Sequence, residues 1–313
     1  MKKSGEKKEA RPSIGGQAVM EGVMMNGRLH YSVSVRKPNG EIQTELFDNQ
    51  SVTEKHAILS VPVVRGVIRF AESLIIGMKT LNYSAEFFME EESEEKKKER
   101  SHFWQTYGDR ILMAGSMILA VVLCLGIFVA LPVGASRLLY TYVTHNVYWM
   151  GLTEGILRML LFLLYLFLVS KVKDIARTFE YHGAEHKTIN CLEAGESLTP
   201  EHVKKYSRFN KRCGTSFLFI IMLISILFFS FIQVTDPLLR FALHLLLIPV
   251  IAGVSYEVLK FSAKSESRLI NILVAPGLLI QRITTKEPDE EQIEVAIASV
   301  KKVLEAEYPD MKS

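Results

Sequence analysis

The apolar residues of this chain fall into long uninterrupted blocks, where a soluble fold would space them at helical or strand intervals. Ile111 to Leu131, "ILMAGSMILAVVLCLGIFVAL", is uncharged and, at 1.5 Å per residue, about long enough to cross a hydrocarbon core of about 30 Å. Leu152 to Ser170 is a second block, with Glu154 and Arg158 four residues apart near one end, placed to pair or to reach the interface. Phe217 to Val234 and Leu238 to Leu259 are a third and a fourth, joined by the short turn Thr235-Asp236-Pro237 into an antiparallel hairpin. Pro62 to Phe88 also reads as helix. Arg65, Arg69, Glu72 and Lys79 interrupt it, which suits an interfacial or protein-buried amphipathic helix more than a span.

Ahead of these helices the period changes to two. Tyr31 to Arg36 and Glu41 to Phe47 alternate, and Asn39-Gly40 between them is a hairpin signal because both residues tolerate positive φ. A small β-meander is expected here, with Gly15, Gly16, Gly22 and Gly27 permitting tight turns or close backbone approach. Glu21 lies among Ala18, Val19, Met20, Val23 and Met24, so its carboxylate needs a partner. At the other end, the apolar run from Arg268 to Ile283 is broken by Pro276 and Gly277 and is too short to cross. After Pro288, residues Ile293, Ala296, Ile297, Val300, Val303 and Leu304 mark one face of a closing helix.

The pattern divides the chain into six parts. They are a glycine-rich β element (1–50), an amphipathic helix with a charged linker (51–100), two spans (101–170), a polar loop (171–216), two more spans (217–260) and a C-terminal segment with a helix (261–313). The charge run Glu90 to Arg100 reads as a solvated linker or helix extension. Across 313 residues, 49% are hydrophobic and 23% charged, which agrees with a polytopic membrane protein. Basic residues orient it. Lys171, Lys173, Arg177, Lys187, Lys204, Lys205, Arg208, Lys211 and Arg212 crowd the third-to-last part, whereas Pro132 to Gly151 carries only Arg137 beside Tyr140, Tyr142, Tyr148 and Trp149. The 171–216 loop and both termini are therefore expected in the cytoplasm. No apolar stretch follows Lys2, Lys3, Lys7 and Lys8, so a signal peptide is not expected. The net charge of +3 rests on residues beside the spans, where anionic lipid headgroups account for it without nucleic acid.

Candidate chemistry lies in "FEYHGAEHKTINCLE", Phe179 to Glu193. On a helix His182 and His186 share a face and can reach one cation, with Glu185 placed to take a proton from an attacking water, the H-x-x-E-H order of inverted zincins. Gly183 weakens such a helix. The alternative is an amphipathic juxtamembrane helix whose histidines bind backbone carbonyls or lipid phosphates. Glu257, where the fourth span returns to the same membrane level, is the first candidate for a third ligand, with Glu180, Cys191, Cys213 and Glu21 behind it. A carboxylate with imidazoles suits Zn²⁺, Mn²⁺ or Fe²⁺, and a cysteine narrows the choice to Zn²⁺. Cys191 and Cys213 fall in the reducing loop and Cys124 in a span, so disulfides are not expected. His244, deep in the fourth span, reads either as functional or as bonded to another helix's backbone, and is left out of the site.

"GGQAVMEGVMMNG", "YHGAEHKTINCLEAGE", "RCGTSF" and "PGLLIQRITTKEPDEEQIEVAIAS" together resemble the YqhQ-like family of bacterial polytopic membrane proteins, a family of unknown function often labelled a metal-dependent enzyme. The resemblance covers nearly the whole chain after Ser13. It implies that the glycine-rich motif, the polar loop and the C-terminal segment pack as one cytoplasmic cap over a four-helix bundle in the inner membrane. Where a His-Pro pair would precede "RCGTSF", this chain has Asn210-Lys211, which removes one ligand. The expectation is a mainly α-helical four-span protein whose cap contains a small β-hairpin or meander. Its leading function is hydrolysis at the inner membrane face with a divalent metal, Zn²⁺ first. His182 and His186 would be ligands, Glu185 the base, Glu257 or Glu21 the completing ligand, and Arg212 an electrophilic or anion-binding group. The rival is a non-catalytic scaffold whose cap docks another membrane or ribosome-associated component. A transporter is the weakest reading, since few intramembrane charges offer a pathway.

The orientation is open to direct measurement. Cysteines placed between positions 132 and 151 should react with a membrane-impermeant reagent on intact cells, and cysteines in the 171–214 loop should not. Labelling of that loop instead would reverse the orientation.

Overall fold

The computed structural model describes residues 12, 14–55, 57–89, 109–210, 213–262 and 267–309. The charge run Glu90 to Arg100 lies outside them. The chain begins with a four-stranded antiparallel meander, β1 (Gly15–Val19), β2 (Gly22–Asn26), β3 (His30–Arg36) and β4 (Ile42–Asp48), each strand paired with the next. The alternating runs form the expected hairpin, with Tyr31 opposite Phe47 and Arg36 opposite Ile42. Of the two turn residues only Gly40 takes a positive φ, +85°. Asn39 instead accepts the Glu41 N–H through its side chain, at 3.0 Å.

The helices are α1 (Val52–Lys55), α2 (Val64–Met89), α3 (Asp109–Leu125 and onward), α4 (Val147–Val169), α5 (Lys173–Ala194), α6 (Pro200–Val203), α7 (Gly214–Ser230), α8 (Pro237–Ser262), α9 (Arg268–Thr284) and α10 (Glu290–Glu307). α3 outruns the first apolar block. A π turn at Gly126–Ala130 precedes the helical segment Leu131–Leu139, so Pro132 stands in its first turn, where a missing N–H is tolerated. A second π turn, Tyr140–Thr144, ends at His145, which has φ +49°. Among the described residues three helices are long and apolar enough to cross a membrane: the Ala114–Val143 stretch of α3, α4 and α8. The block expected as the third span forms α7, an apolar helix of 17 residues, shorter than the other three. α4, α7 and α9 share a core of Leu166, Met222 and Ile280.

Both faces of the sheet are covered, which is why β2 is buried along Gly22–Met25. Tyr31, Val33, Val35 and Met24 face α2, meeting Ile76, Tyr83 and Phe87. Val23 and Met25 face α5 and α10, in a core with Tyr181, Ile189, Ile293 and Val300. The closing-helix face read from the sequence is thus the face α10 buries. Its N-terminus is a capping box, with Asp289 and Gln292 bonded reciprocally. Its last residue, Glu307, accepts the backbone N–H groups of Arg28, Leu29 and His30 at 3.0, 2.7 and 2.7 Å, tying the β2–β3 turn to the end of the chain.

A buried ionic cluster sits at the far end of the helices. Glu154 of α4 receives Arg158 (2.9 Å) and His244 on one oxygen and Arg240 (2.8 Å) on the other. Arg240 also donates to the carbonyls of Ile232 and Val234, at 2.8 and 3.1 Å, just past the end of α7. The Glu154–Arg158 pairing foreseen from spacing is present, within a larger group. His244 bonds a carboxylate of another helix, while its Nδ1 meets the Arg240 carbonyl of its own.

Glu307 gives the fold a pH dependence. Burial pushes its carboxyl up, but the three backbone donors and His30 outweigh burial and hold it below its ordinary value. A depressed folded value contributes stability above the unfolded value of about 4.3, and that stability is lost as pH falls through the folded value. Glu307→Gln should cost about 1–3 kcal/mol near neutrality. Melting curves of the two proteins should converge below about pH 4, and a gap independent of pH would contradict the assignment.

Candidate metal centre

α5 carries the histidine motif through the middle of the folded chain. Asp174 lies in its first turn and Gly195, at φ +79°, closes its C-terminus. Tyr181, Ala184, Ile189, Cys191 and Leu192 bury one side against the sheet and α10. What sets this helix apart is that Glu185, His186, Lys187 and Thr188 are buried in succession. Such polar side chains need partners. Lys187 donates to the carbonyls of Lys204 (3.0 Å) and Tyr206 (2.9 Å) and pairs with Glu287 (2.9 Å). Thr188 donates back to the Ala184 carbonyl.

The two imidazoles are held alike. His182 Nδ1 donates to the Thr284 carbonyl at 2.8 Å, and His186 Nδ1 donates to the Arg208 carbonyl at 2.6 Å, since a carbonyl can only accept. In a neutral ring this leaves the Nε2 lone pair of each for another partner, the tautomer that metal-ligating histidines adopt. The rings lie 4.4 Å apart. Their ligand atoms and Cys213 Sγ all fall within 4.8 Å of one another. Cys213 sits 3.2 Å from His182 Nε2, at the N-cap of α7, and accepts the Thr215 N–H at 3.4 Å. Among the described residues two buried atoms of the cluster have no hydrogen-bond partner, His186 Nε2 and Glu185 Oε2, the latter 3.9 Å from His182 Nε2. Burial pushes the Glu185 carboxyl up to about 7, against a smaller lowering by His182.

Two glycines permit this packing. A Cβ on Gly16 of β1 would stand 2.7–2.8 Å from the Glu185 side chain, so its absence lets the strand close directly over the carboxylate. A Cβ on Gly183 would lie 2.0 Å from the Lys286 carbonyl. The residue that weakens the helix locally is what admits the segment carrying Thr284, and Lys286 N–H then bonds the Phe179 carbonyl at 2.8 Å.

The other sequence candidates are placed elsewhere. Glu257 of α8 is doubly bonded to Arg65 of α2, so the helix return that suggested it as a ligand instead supplies an interhelical ion pair. Glu21, in the β1–β2 turn at φ +48°, finds its partner in Arg177 and in the Tyr181 hydroxyl at 3.1 Å. Glu180 accepts from Gln292 at 3.0 Å, and Cys191 is buried in the core. Arg212 lies outside the described residues. His244 belongs to the Glu154 cluster. Cys213, a lesser candidate from sequence, is the residue that joins the histidines. Two imidazole nitrogens and a cysteine sulfur at one point suit Zn²⁺.

A cavity of about 590 Å³ leads away from His182 and Cys213 toward Phe70, Leu74, Leu218 and Leu259.

A family model described as a protein of unknown function, DUF1385, matches residues 61–306. The chain is 34% identical over 307 residues to the uncharacterized protein YqhQ of Bacillus subtilis (strain 168), a similarity covering 96% of this chain and 95% of that one. No solved structure matches the chain.

Gly183 offers a test of the packing. Gly183→Ala should cost about 1–3 kcal/mol through overpacking against the Lys286 carbonyl. Gly15→Ala, with nothing within 4 Å of the added methyl, should leave the melting temperature within about a degree of wild type. Equal melting of both variants would mean that the close approach does not exist.

Proposed function

The chain belongs to the DUF1385 family, and on that premise we propose that it is a divalent-metal-dependent hydrolase acting at the cytoplasmic membrane face. The observation that carries this reading is the pair of imidazoles anchored through Nδ1, with a ligand atom of each and Cys213 Sγ within 4.8 Å of one another and, among the described residues, two buried atoms of the group without hydrogen-bond partners. His182, His186 and Cys213 would hold the cation. Bound there, Zn²⁺ would supply Lewis-acid activation of a water and of the scissile group.

The remaining steps belong to the chain. The Thr284 and Arg208 carbonyls keep each imidazole in the tautomer that presents Nε2. Glu185, confined beneath Gly16, takes the proton of the attacking water and returns it to the leaving group. The sheet and α5 keep bulk water from the carboxylate. In this reading the four-helix bundle of α3, α4, α7 and α8 is the membrane anchor, and the cap of sheet, α5 and α10 holds the chemistry.

A second reading rests on the 3.2 Å contact between His182 Nε2 and Cys213 Sγ, with Thr215 N–H directed at the sulfur. Those groups also form a thiol nucleophile with its base. It gives no role to His186 Nε2 or to the Glu185 carboxylate. The non-catalytic scaffold likewise leaves both partnerless atoms without purpose.

Elemental analysis of purified protein in detergent separates the three. Wild type should carry about one equivalent of metal, His182→Ala, His186→Ala and Cys213→Ala should lose it, and Glu185→Gln should keep it, because the amide preserves shape while losing the capacity to take a proton. Metal-free wild type with rapid alkylation of Cys213 would support the thiol reading. Metal-free wild type with a slow, ordinary thiol would leave the scaffold.

A further inference from the structure

The cavity at the candidate centre lies where the cap meets the bundle, and its walls differ from end to end. One end is polar and chemical, with His182, Cys213 and the β1 backbone at Gly16. Its other walls are the apolar side chains of Phe70 and Leu74 from α2, Phe217 and Leu218 from α7, and Leu259 from α8. α8 is one of the three helices long and apolar enough to cross a membrane, and Tyr256 and Leu259 stand near its C-terminal end. The cavity is therefore walled in part by the surface of a helix long and apolar enough to cross a membrane.

α2 extends that surface. Leu74, Ile75, Met78 and Leu81 are exposed at positions i, i+1, i+4 and i+7, one face of the helix, while Ile76, Tyr83 and Phe87 on the other side pack the sheet. Leu74 belongs both to this outward stripe and to the cavity wall. An apolar stripe on a charged helix beside a span is the form of a helix lying in the membrane interface. Arg69, one turn before Ser73 and Leu74, adds a cation to the cavity wall, with Glu72 4.0 Å from it.

From this arrangement we infer that the cavity takes an acyl lipid with an anionic headgroup, entering sideways from the membrane past Leu74. Its chain lies along Phe70, Phe217, Leu218 and Leu259, and its headgroup with the ester or phosphoester bond lies toward Arg69, His182 and Cys213. A volume of about 590 Å³ holds a headgroup and part of a chain, the remainder staying in the bilayer. The assignment of a cleavable bond rests on the hydrolase reading; the assignment of a lipid does not. In the hydrolysis, the water oxygen bonds to the carbonyl or phosphoryl centre as the bond to the leaving oxygen breaks, and the water's proton passes through Glu185 to that oxygen.

The test uses the full chain in nanodiscs doped with phosphatidylglycerol bearing a diazirine near the end of one acyl chain. After illumination, cross-linked peptides are mapped by mass spectrometry, and metal content is measured on the same preparation. Label should appear on peptides containing 69–76, 217–218 or 256–259, and excess unlabelled phosphatidylglycerol should remove it. Leu218→Trp, which fills the cavity, and Leu74→Glu, at an exposed position that tolerates charge, should each reduce that label at least fivefold while label on the outward face of α3 persists. Label confined to α3 and α4, or unchanged in Leu74→Glu, would overturn the lipid site. Competition by soluble glycerol 3-phosphate as effective as by the lipid would also overturn it, because the ligand would then be a free phosphate ester. Cavity labelling without metal would keep the lipid and remove the hydrolase; metal without cavity labelling would do the reverse.

Discussion

Burying Glu185, His186, Lys187 and Thr188 one after another in a helix is the constraint that shapes the rest of this molecule. Each polar side chain withdrawn from water costs several kcal/mol unless it is met by a partner, and α5 alone can satisfy only Thr188. The partners come from two segments brought alongside. Residues 204–210 present carbonyls to Lys187, His186 and Asn190. Residues 284–287 present the Thr284 carbonyl to His182 and the Glu287 carboxylate to Lys187. These segments are joined to each other as well, through Gln281 and Asn210, which exchange hydrogen bonds at 2.7 and 2.9 Å. The result is a helix clamped by backbone, with the ring positions fixed as a consequence.

The sheet completes the enclosure. Its β1 strand lies over Glu185 because Gly16 has no side chain, and α10, beside α5 on the same face, holds the strands through the Ser32–Ser299 contact at 2.7 Å and through Glu307. The N-terminal and C-terminal parts of the chain are therefore needed to bury residues in its middle. That dependence explains why motifs separated by more than a hundred residues read together in the sequence as a single signature. It also leaves one side uncovered, the side facing α2 and the ends of α7 and α8, where the cavity opens.

Features set by neighbouring residues could be read directly from the sequence. The apolar blocks, the hairpin around Gly40, the face of α10 and the pairing of Glu154 with Arg158 all depend on local spacing. The histidines' shared face followed from the same rule. What spacing could not supply was long-range partnership. Glu257 seemed a ligand because helix return placed it at the right level, yet Arg65, 192 residues away, takes its carboxylate. Cys213 stands 31 residues from His182, and no period links them. Gly183 counted against a helix until Lys286 gave it a reason to be glycine. α3 runs on past the apolar block that ended at Leu131, because a π turn ahead of Pro132 places that proline in the first turn of the next helical segment.

Two buried glutamates show how similar residues come to opposite ends. Arg240 and Tyr256, both on α8, are separated by about 24 Å at 1.5 Å per residue, so the Glu154 cluster and the histidine cluster occupy opposite ends of the bundle. Each contains a carboxylate and at least one histidine. Glu154 has a donor on both oxygens, two of them guanidinium groups, and its arginine also takes the carbonyls left by the end of α7. An ion group bonded in this way is occupied with holding helices together, and removing one member leaves a buried charge at a cost of about 3–5 kcal/mol. Among the described residues Glu185 has no cation against its Oε2, only the edge of a histidine at 3.9 Å. Nothing in the packing of α5 requires a carboxylate at that point, since an amide or an apolar residue of the same size would fill it at lower cost. In the proposed hydrolase this carboxylate is the base, and the neighbouring imidazole nitrogens and Cys213 Sγ are the groups it would work with.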